Sequence, residues 1–116
     1  MNPIDPIDRA TFAELRDTTG SDFVRELVDA FLAEAPAMLD ELRDALAKDD
    51  ADRFRRAAHS LKSNSHTFGA MSLGALAREL ELGGLPVAQA QGTQALVPVA
   101  AEYARAAAAL TMLRDE

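Results

Sequence analysis

His59 is the residue of this chain whose type and position best suit chemistry. It lies in the stretch 54–70, which reads FRRAAHSLKSNSHTFGA. At 100° per residue, one face of a helix over this stretch collects Phe54, Ala58, Leu61, Ser65 and Phe68. His59 falls about 140° from Phe54 on the same wheel, so the spacing predicts that its ring points to solvent. A neutral imidazole is a nucleophile near pH 7, and an exposed one can be reached by another protein.

Basic and small side chains flank this histidine in the predicted helix. Arg55 lies one turn before it, and Lys62 and Ser63 lie one turn after it. No acidic residue occurs in residues 53–78, although the whole chain has a formal net charge of -7. We therefore predict locally positive surroundings for the histidine on an otherwise acidic protein.

The composition indicates one helical domain. The chain has 116 residues, of which 48% are hydrophobic and only 5% aromatic, as is typical of helices packed through aliphatic side chains. Apolar residues recur every three or four positions in residues 21–48 and 96–113. We predict an all-α fold, an antiparallel up-down four-helix bundle with a short additional N-terminal helix. Residues 1–7 form an extended lead-in, and residues 8–116 form the bundle domain.

Serine, glycine and proline predict where the helices begin and end. Ser21 and Ser72 are candidate N-caps. The fourth helix is expected to end at a glycine pair, before a loop or a frayed turn over residues 85–92. Pro36 predicts a kink or a short break in the second helix. Pro98 either lies in the first turn of the last helix or kinks it.

Charge and composition also exclude some classes of partner. A pI of about 4.7 argues against nucleic acid and anionic membranes, which are bound through clusters of Lys and Arg. The chain has no cysteine, so disulfides and thiolate metal sites are excluded. It has no apolar leader and no run of about 18 apolar residues. We expect a cytoplasmic, monomeric protein whose partner is another protein, and Met1 without a linker favours a free-standing chain.

Residues 58–81, AHSLKSNSHTFGAMSLGALARELE, resemble the signature of the histidine phosphotransfer (HPt) domain family of two-component phosphorelays. In that family's pattern the histidine is followed by a leucine, a lysine, small residues in the next turn and a glycine-alanine pair. The chain supplies this pattern in order with His59, Leu61, Lys62, Ser63, Ser65, Gly69 and Ala70. The position after the lysine is commonly glycine in the family, and here it is a serine, which is still small. The resemblance covers about residues 8–82 well and the C-terminal helix only by pattern.

This resemblance implies a function and a set of site residues. His59 would take a phosphoryl group from a receiver-domain aspartate, of a hybrid sensor kinase or a response regulator, and pass it to another receiver. Lys62 and, more weakly, Arg55 would offset charge on the transferring group. The surface that meets the partner would include Ser60, Ser63 and His66.

The resemblance also assigns the remaining chemistry to the partner. The Mg²⁺ of such a relay belongs to the receiver, and the chain is expected to carry no cofactor of its own. Neither a GxGxxG nor a GxxxxGK[ST] stretch occurs. We therefore predict a phosphotransfer intermediate without an ATP site or autokinase activity, and not an enzyme.

Two other interpretations compete with the relay. A bundle that binds a receiver or another protein without accepting phosphate would look the same apart from His59 and Lys62. A metal site of the kind found in helical bundles uses Glu-x-x-His ligands. Neither His59 nor His66 has a glutamate three residues before it, so the ligand spacing disfavours a metal site.

Overall fold

Five α-helices account for most of the chain in the structure, a computed structural model that describes residues 5–116. They are α1 (Arg9–Thr19), α2 (Ser21–Ala47), α3 (Ala51–Thr67), α4 (Met71–Gln91) and α5 (Val97–Arg114). A short 3₁₀-helix, Gly92–Gln94, joins α4 to α5. No β-strand occurs among the described residues, so the prediction of an all-α fold is confirmed. Residues 1–4 of the predicted lead-in lie outside the described part of the chain.

The core is built around the inward face of α3, which packs mainly against α4 and α2. The predicted stripe is confirmed, since its members Phe54, Ala58, Leu61, Ser65 and Phe68 are all buried. Ser65 tolerates burial because its hydroxyl donates to the carbonyl oxygen of Leu61 at 2.6 Å. Phe31 of α2 packs on Phe68 with ring centroids 5.1 Å apart. Burial of this face leaves the opposite face of α3 exposed.

Gly69 makes the corner between α3 and α4 possible. Its φ is +82°, a conformation that residues with a Cβ rarely adopt. A Cβ at this position would lie 2.7 Å from the backbone oxygen of Asp8. The backbone N–H of Asp8 in turn donates to the carbonyl oxygen of Gly69 at 2.7 Å. Glycine therefore permits both the chain reversal and the close approach of the segment that leads into α1.

The fourth helix extends further than predicted. The prediction of a loop or a frayed turn over residues 85–92 is wrong, because α4 continues to Gln91 after one break at Gly84, where φ is 70° and ψ is -170°. Pro86 follows the break, in the first turn of the second stretch, where a missing N–H leaves no hydrogen bond unmade. Leu85 is 3% exposed and adds that stretch to the core. The glycine pair and the proline thus mark a restart of the helix.

Four further predictions, made from two prolines and two serines, have different outcomes. The helix α2 runs through Pro36 without a break. Pro98 lies in the first turn of α5, which is the first of the two alternatives. The predicted N-caps Ser21 and Ser72 are wrong, because the helices begin earlier and their N-caps lie one and two residues before these serines. The connections before α2 and α4 are short, so each new helix starts as soon as the chain has reversed.

Candidate functional site

The exposed face of α3 carries His59. Its side chain is 56% exposed, as the periodicity of the sequence predicts. Nδ1 of the ring lies 2.8 Å from Oε2 of Glu81 on α4, and Nε2 makes no hydrogen bond to any of the described residues. When Glu81 is ionised, Nδ1 must carry the proton that it donates. A neutral ring then has its lone pair on the free nitrogen, Nε2.

Glu81 also binds Lys62, one turn further along α3. Nζ of Lys62 donates to Oε1 at 2.6 Å, so the two carboxylate oxygens hold two side chains of α3. Glu81 is 15% exposed and Lys62 is 24% exposed. The hydrogen bond from Lys62 lowers the pKa of Glu81 below its ordinary value, and the hydrogen bond with His59 acts in the same direction against the effect of burial. Glu81 is therefore ionised at neutral pH, as donation from Nδ1 requires.

Glu81 was not among the predicted site residues, and it makes the prediction of positive surroundings for His59 wrong. The carboxylate comes from the next helix and does not appear in the local stretch around the histidine. One sequence signal would have found it. His59 and Glu81 each lie eleven residues from Ala70, at the corner where the chain reverses between α3 and α4. Residues at equal distances from such a corner face each other in an antiparallel helix pair.

Three of the other predicted site residues lie on α3 outside this cluster. Arg55 is exposed, and its guanidinium pairs with Asp52 at 3.1 Å, toward the start of the helix. Ser60 and Ser63 are exposed. Ser60 also borders a shallow groove between α2 and α3. Arg55 thus lies one turn from the histidine, but its charge is shared with an acid.

His66 lies near the end of α3 and covers a glycine of α4. A Cβ on Gly74 would collide with the imidazole of His66, so the ring rests against the backbone of α4. The outer side of His66 is exposed. Its ring makes no hydrogen bond within residues 5–116. The structure therefore brings His59 and Lys62 together through Glu81 and leaves His66 apart from them.

The described residues offer neither a metal-binding cluster nor a single helix that could span a membrane. Within residues 5–116, no group of three or more His, Asp or Glu side chains could hold a metal ion. In the same part of the chain, no single helix is long and apolar enough to cross a membrane, and residues 71–94 with 97–114 reach that length and composition only as a pair bent by 83°.

Comparisons with known proteins identify the family. The model of the Hpt domain family matches residues 26–115. Among solved structures, the chain is similar to the crystal structure of histidine-containing phosphotransfer protein B (HptB) from Pseudomonas aeruginosa PAO1. The TM-score is 0.82 and the sequence identity 25%, over 99% of this chain and 97% of that one. A search of curated proteins found no significant match. Because the family match spans most of the sequence, the chain belongs to the Hpt domain family.

Proposed function

We propose that this protein carries a phosphoryl group on Nε2 of His59 between receiver domains of a two-component phosphorelay. Membership of the Hpt domain family and the likeness to HptB support histidine phosphotransfer as its function. One observation carries the assignment to His59. Its ring is exposed on a helix face, with Nδ1 bound to Glu81 at 2.8 Å and Nε2 free of any described partner.

The transfer needs no base and no water. The lone pair of Nε2 forms the N–P bond while the P–O bond to the receiver's aspartate breaks, and the aspartate carboxylate leaves with that electron pair. Nδ1 keeps its proton, so the ring gains positive charge as the N–P bond forms. The carboxylate of Glu81 already faces the ring and offsets that charge. The reverse transfer follows the same steps backwards.

Lys62 has two roles in this proposal. It holds the carboxylate of Glu81 against His59, as its 2.6 Å hydrogen bond to Oε1 suggests. An ammonium group has three donors, so Nζ can also donate to a phosphoryl oxygen without releasing Glu81. Arg55 acts only weakly and at longer range, since it is paired with Asp52 and screened by solvent.

The remaining parts of the proposal concern the partner and the setting. The partner is the receiver domain of a hybrid histidine kinase or a response regulator, which docks over Ser60, Ser63 and His66 and holds the Mg²⁺. The chain works as a cytoplasmic monomer without autokinase activity or a cofactor of its own. We also propose that α2 to α5 act as an up-down bundle, to which α1 is a short addition.

Incubation with a panel of ³²P-labelled receiver domains tests the proposal. Wild type and His66→Gln, which removes the other histidine, should both gain label that is labile in acid and stable in base, as a phosphohistidine is. His59→Gln should gain none. Label on His59→Gln would refute the assignment of the site. A receiver that binds the wild type without ever labelling it would favour a non-catalytic adaptor.

A further inference from the structure

Arg78 on α4 is an exposed cation without an acidic partner in the described part of the chain. Every other lysine and arginine except Arg16 pairs with an aspartate or a glutamate there. Arg16 lies on α1 and is partly buried. Arg78 is therefore an exposed positive charge that the fold leaves uncompensated.

The register between α3 and α4 places Arg78 beside the phosphotransfer site. Arg78 and Lys62 each lie eight residues from Ala70, so they occupy the same level of the antiparallel pair. On its own helix, Arg78 lies one turn after Gly74 and one turn before Glu81. Both of those residues contact α3, through His66 and His59 respectively. Arg78 thus lies along the edge of α4 that borders the histidine.

The charges around His59 explain why Arg78 stays unpaired. Glu81 is the acid one turn away on the same edge, but its two oxygens are taken by His59 and Lys62. Glu79 follows Arg78 in sequence and points about 100° away around the helix. The charges of Lys62 and Glu81 cancel each other, and the neutral imidazole adds none. Arg55 and Arg56 share the single carboxylate of Asp52 toward the start of α3. Arg78 is therefore the positive charge next to the site that contacts no acidic side chain among the described residues.

We propose that Arg78 supplies the positive charge that guides the phosphorylated receiver to His59. This inference rests on the proposed function. A phosphoryl group on a side chain carries about 1.5 to 2 negative charges near pH 7. Exposed charges act over about 8 to 10 Å at ordinary ionic strength. Arg78 therefore acts mainly on the rate of productive encounter, and its effect depends on salt.

The test measures the second-order rate of phosphoryl transfer from a ³²P-labelled receiver domain at low and high salt. Arg78→Gln should lower the rate about fivefold at low salt, and the difference should disappear near 1 M salt, where charges are screened within about 3 Å. Arg78→Lys should keep most of the wild-type rate, because it keeps the charge. The control is Arg43→Gln on α2, which removes one positive charge from an exposed pair with Asp40 and should stay within about twofold of wild type.

Three outcomes separate this inference from the proposed function. Equal rates for wild type and Arg78→Gln at low salt would overturn the role of Arg78 while leaving transfer to His59 intact. A loss that is the same at every salt concentration would also overturn it, since it would mean a structural or contact role. Failure of every receiver to label the wild type would overturn both proposals. Thermal unfolding of each variant checks that its fold is unchanged.

Discussion

Replacement of Glu81 by glutamine tests the central contact of the site. Glutamine keeps the size of the side chain and offers an amide oxygen to Nδ1 of His59, so the contact can persist. The change removes the negative charge that lies 2.8 Å from the ring and 2.6 Å from Lys62. If the proposed chemistry is correct, the variant binds a receiver normally but transfers the phosphoryl group more slowly, because the charge on the ring develops only during transfer.

From this geometry we expect Glu81→Gln to lower the rate of phosphoryl transfer about tenfold. In a site closed to water, one preorganised group changes a rate by about a hundredfold or more. Here Glu81 is 15% exposed but the His59 ring is 56% exposed, so water already shares in stabilising the ring's charge. The retained amide oxygen keeps a neutral hydrogen bond, which is about half as strong as a charge-assisted one.

The assay is a rapid-quench single turnover with saturating ³²P-labelled receiver, so that binding does not limit the rate. Glu79→Gln is the matched control, because it removes the same charge from an exposed position two residues away on the same helix and should stay within about twofold of wild type. Equal rates for the two glutamate variants would refute the role given to Glu81. A loss that vanishes at saturating receiver would refute it too, because the carboxylate would then act on docking.

Three further predictions concern the fold. Leu61→Ala, at a fully buried position, should lower the free energy of unfolding by about 2 to 4 kcal/mol. Leu82→Ala, at a side chain that is 69% exposed, should change it by less than about 0.5 kcal/mol. Urea unfolding measures both variants, and equal losses would contradict the orientation of the helices. Gly69→Ala should lower the free energy of unfolding by about 1 to 3 kcal/mol. The loss should exceed that of Gly20→Ala, because Gly20 also has a positive φ but has open space around it. Thermal unfolding that ranks the two variants in the other order would mean that the backbone at the α3–α4 corner shifts to accept a Cβ. The pKa of Glu81 is lowered from its ordinary 4.5, so its stabilising effect is complete above that pH and is lost as the pH falls through the lowered value. In urea unfolding, the difference in the free energy of unfolding between wild type and Glu81→Gln should therefore shrink below about pH 4.5. A difference that grows below that pH would mean that the ionised carboxylate does not stabilise the fold.

The orientation of α3 could be predicted from the sequence because it depends only on helix geometry. The apolar stripe and the exposure of His59 follow from 100° per residue, and the structure reproduces both. The all-α class follows in the same way from composition and periodicity. These are local properties, so no knowledge of a neighbouring helix is needed.

Contacts between helices could not be predicted in the same way. The pairing of His59 with Glu81 depends on where the chain reverses between α3 and α4 and on how the two helices align. Packing between the helices determines that alignment. The wrong prediction for the segment after Gly84 has a related cause. Glycine and proline signal a break equally well in a loop and in a helix that restarts, and burial of Leu85 decides between them. Local preference is a weak guide where tertiary contacts compete with it.

The folding unit begins well before the region covered by the family match. That match starts at residue 26, but Ile7 and Phe12 are 0% and 1% exposed, and the backbone of Asp8 is bonded to Gly69 at the end of α3. A fragment cut at the family boundary would leave uncovered apolar surface next to the helix that carries His59, and such surface promotes aggregation. A fragment that is to carry His59 into an artificial relay should therefore include Ile7 and all that follows it.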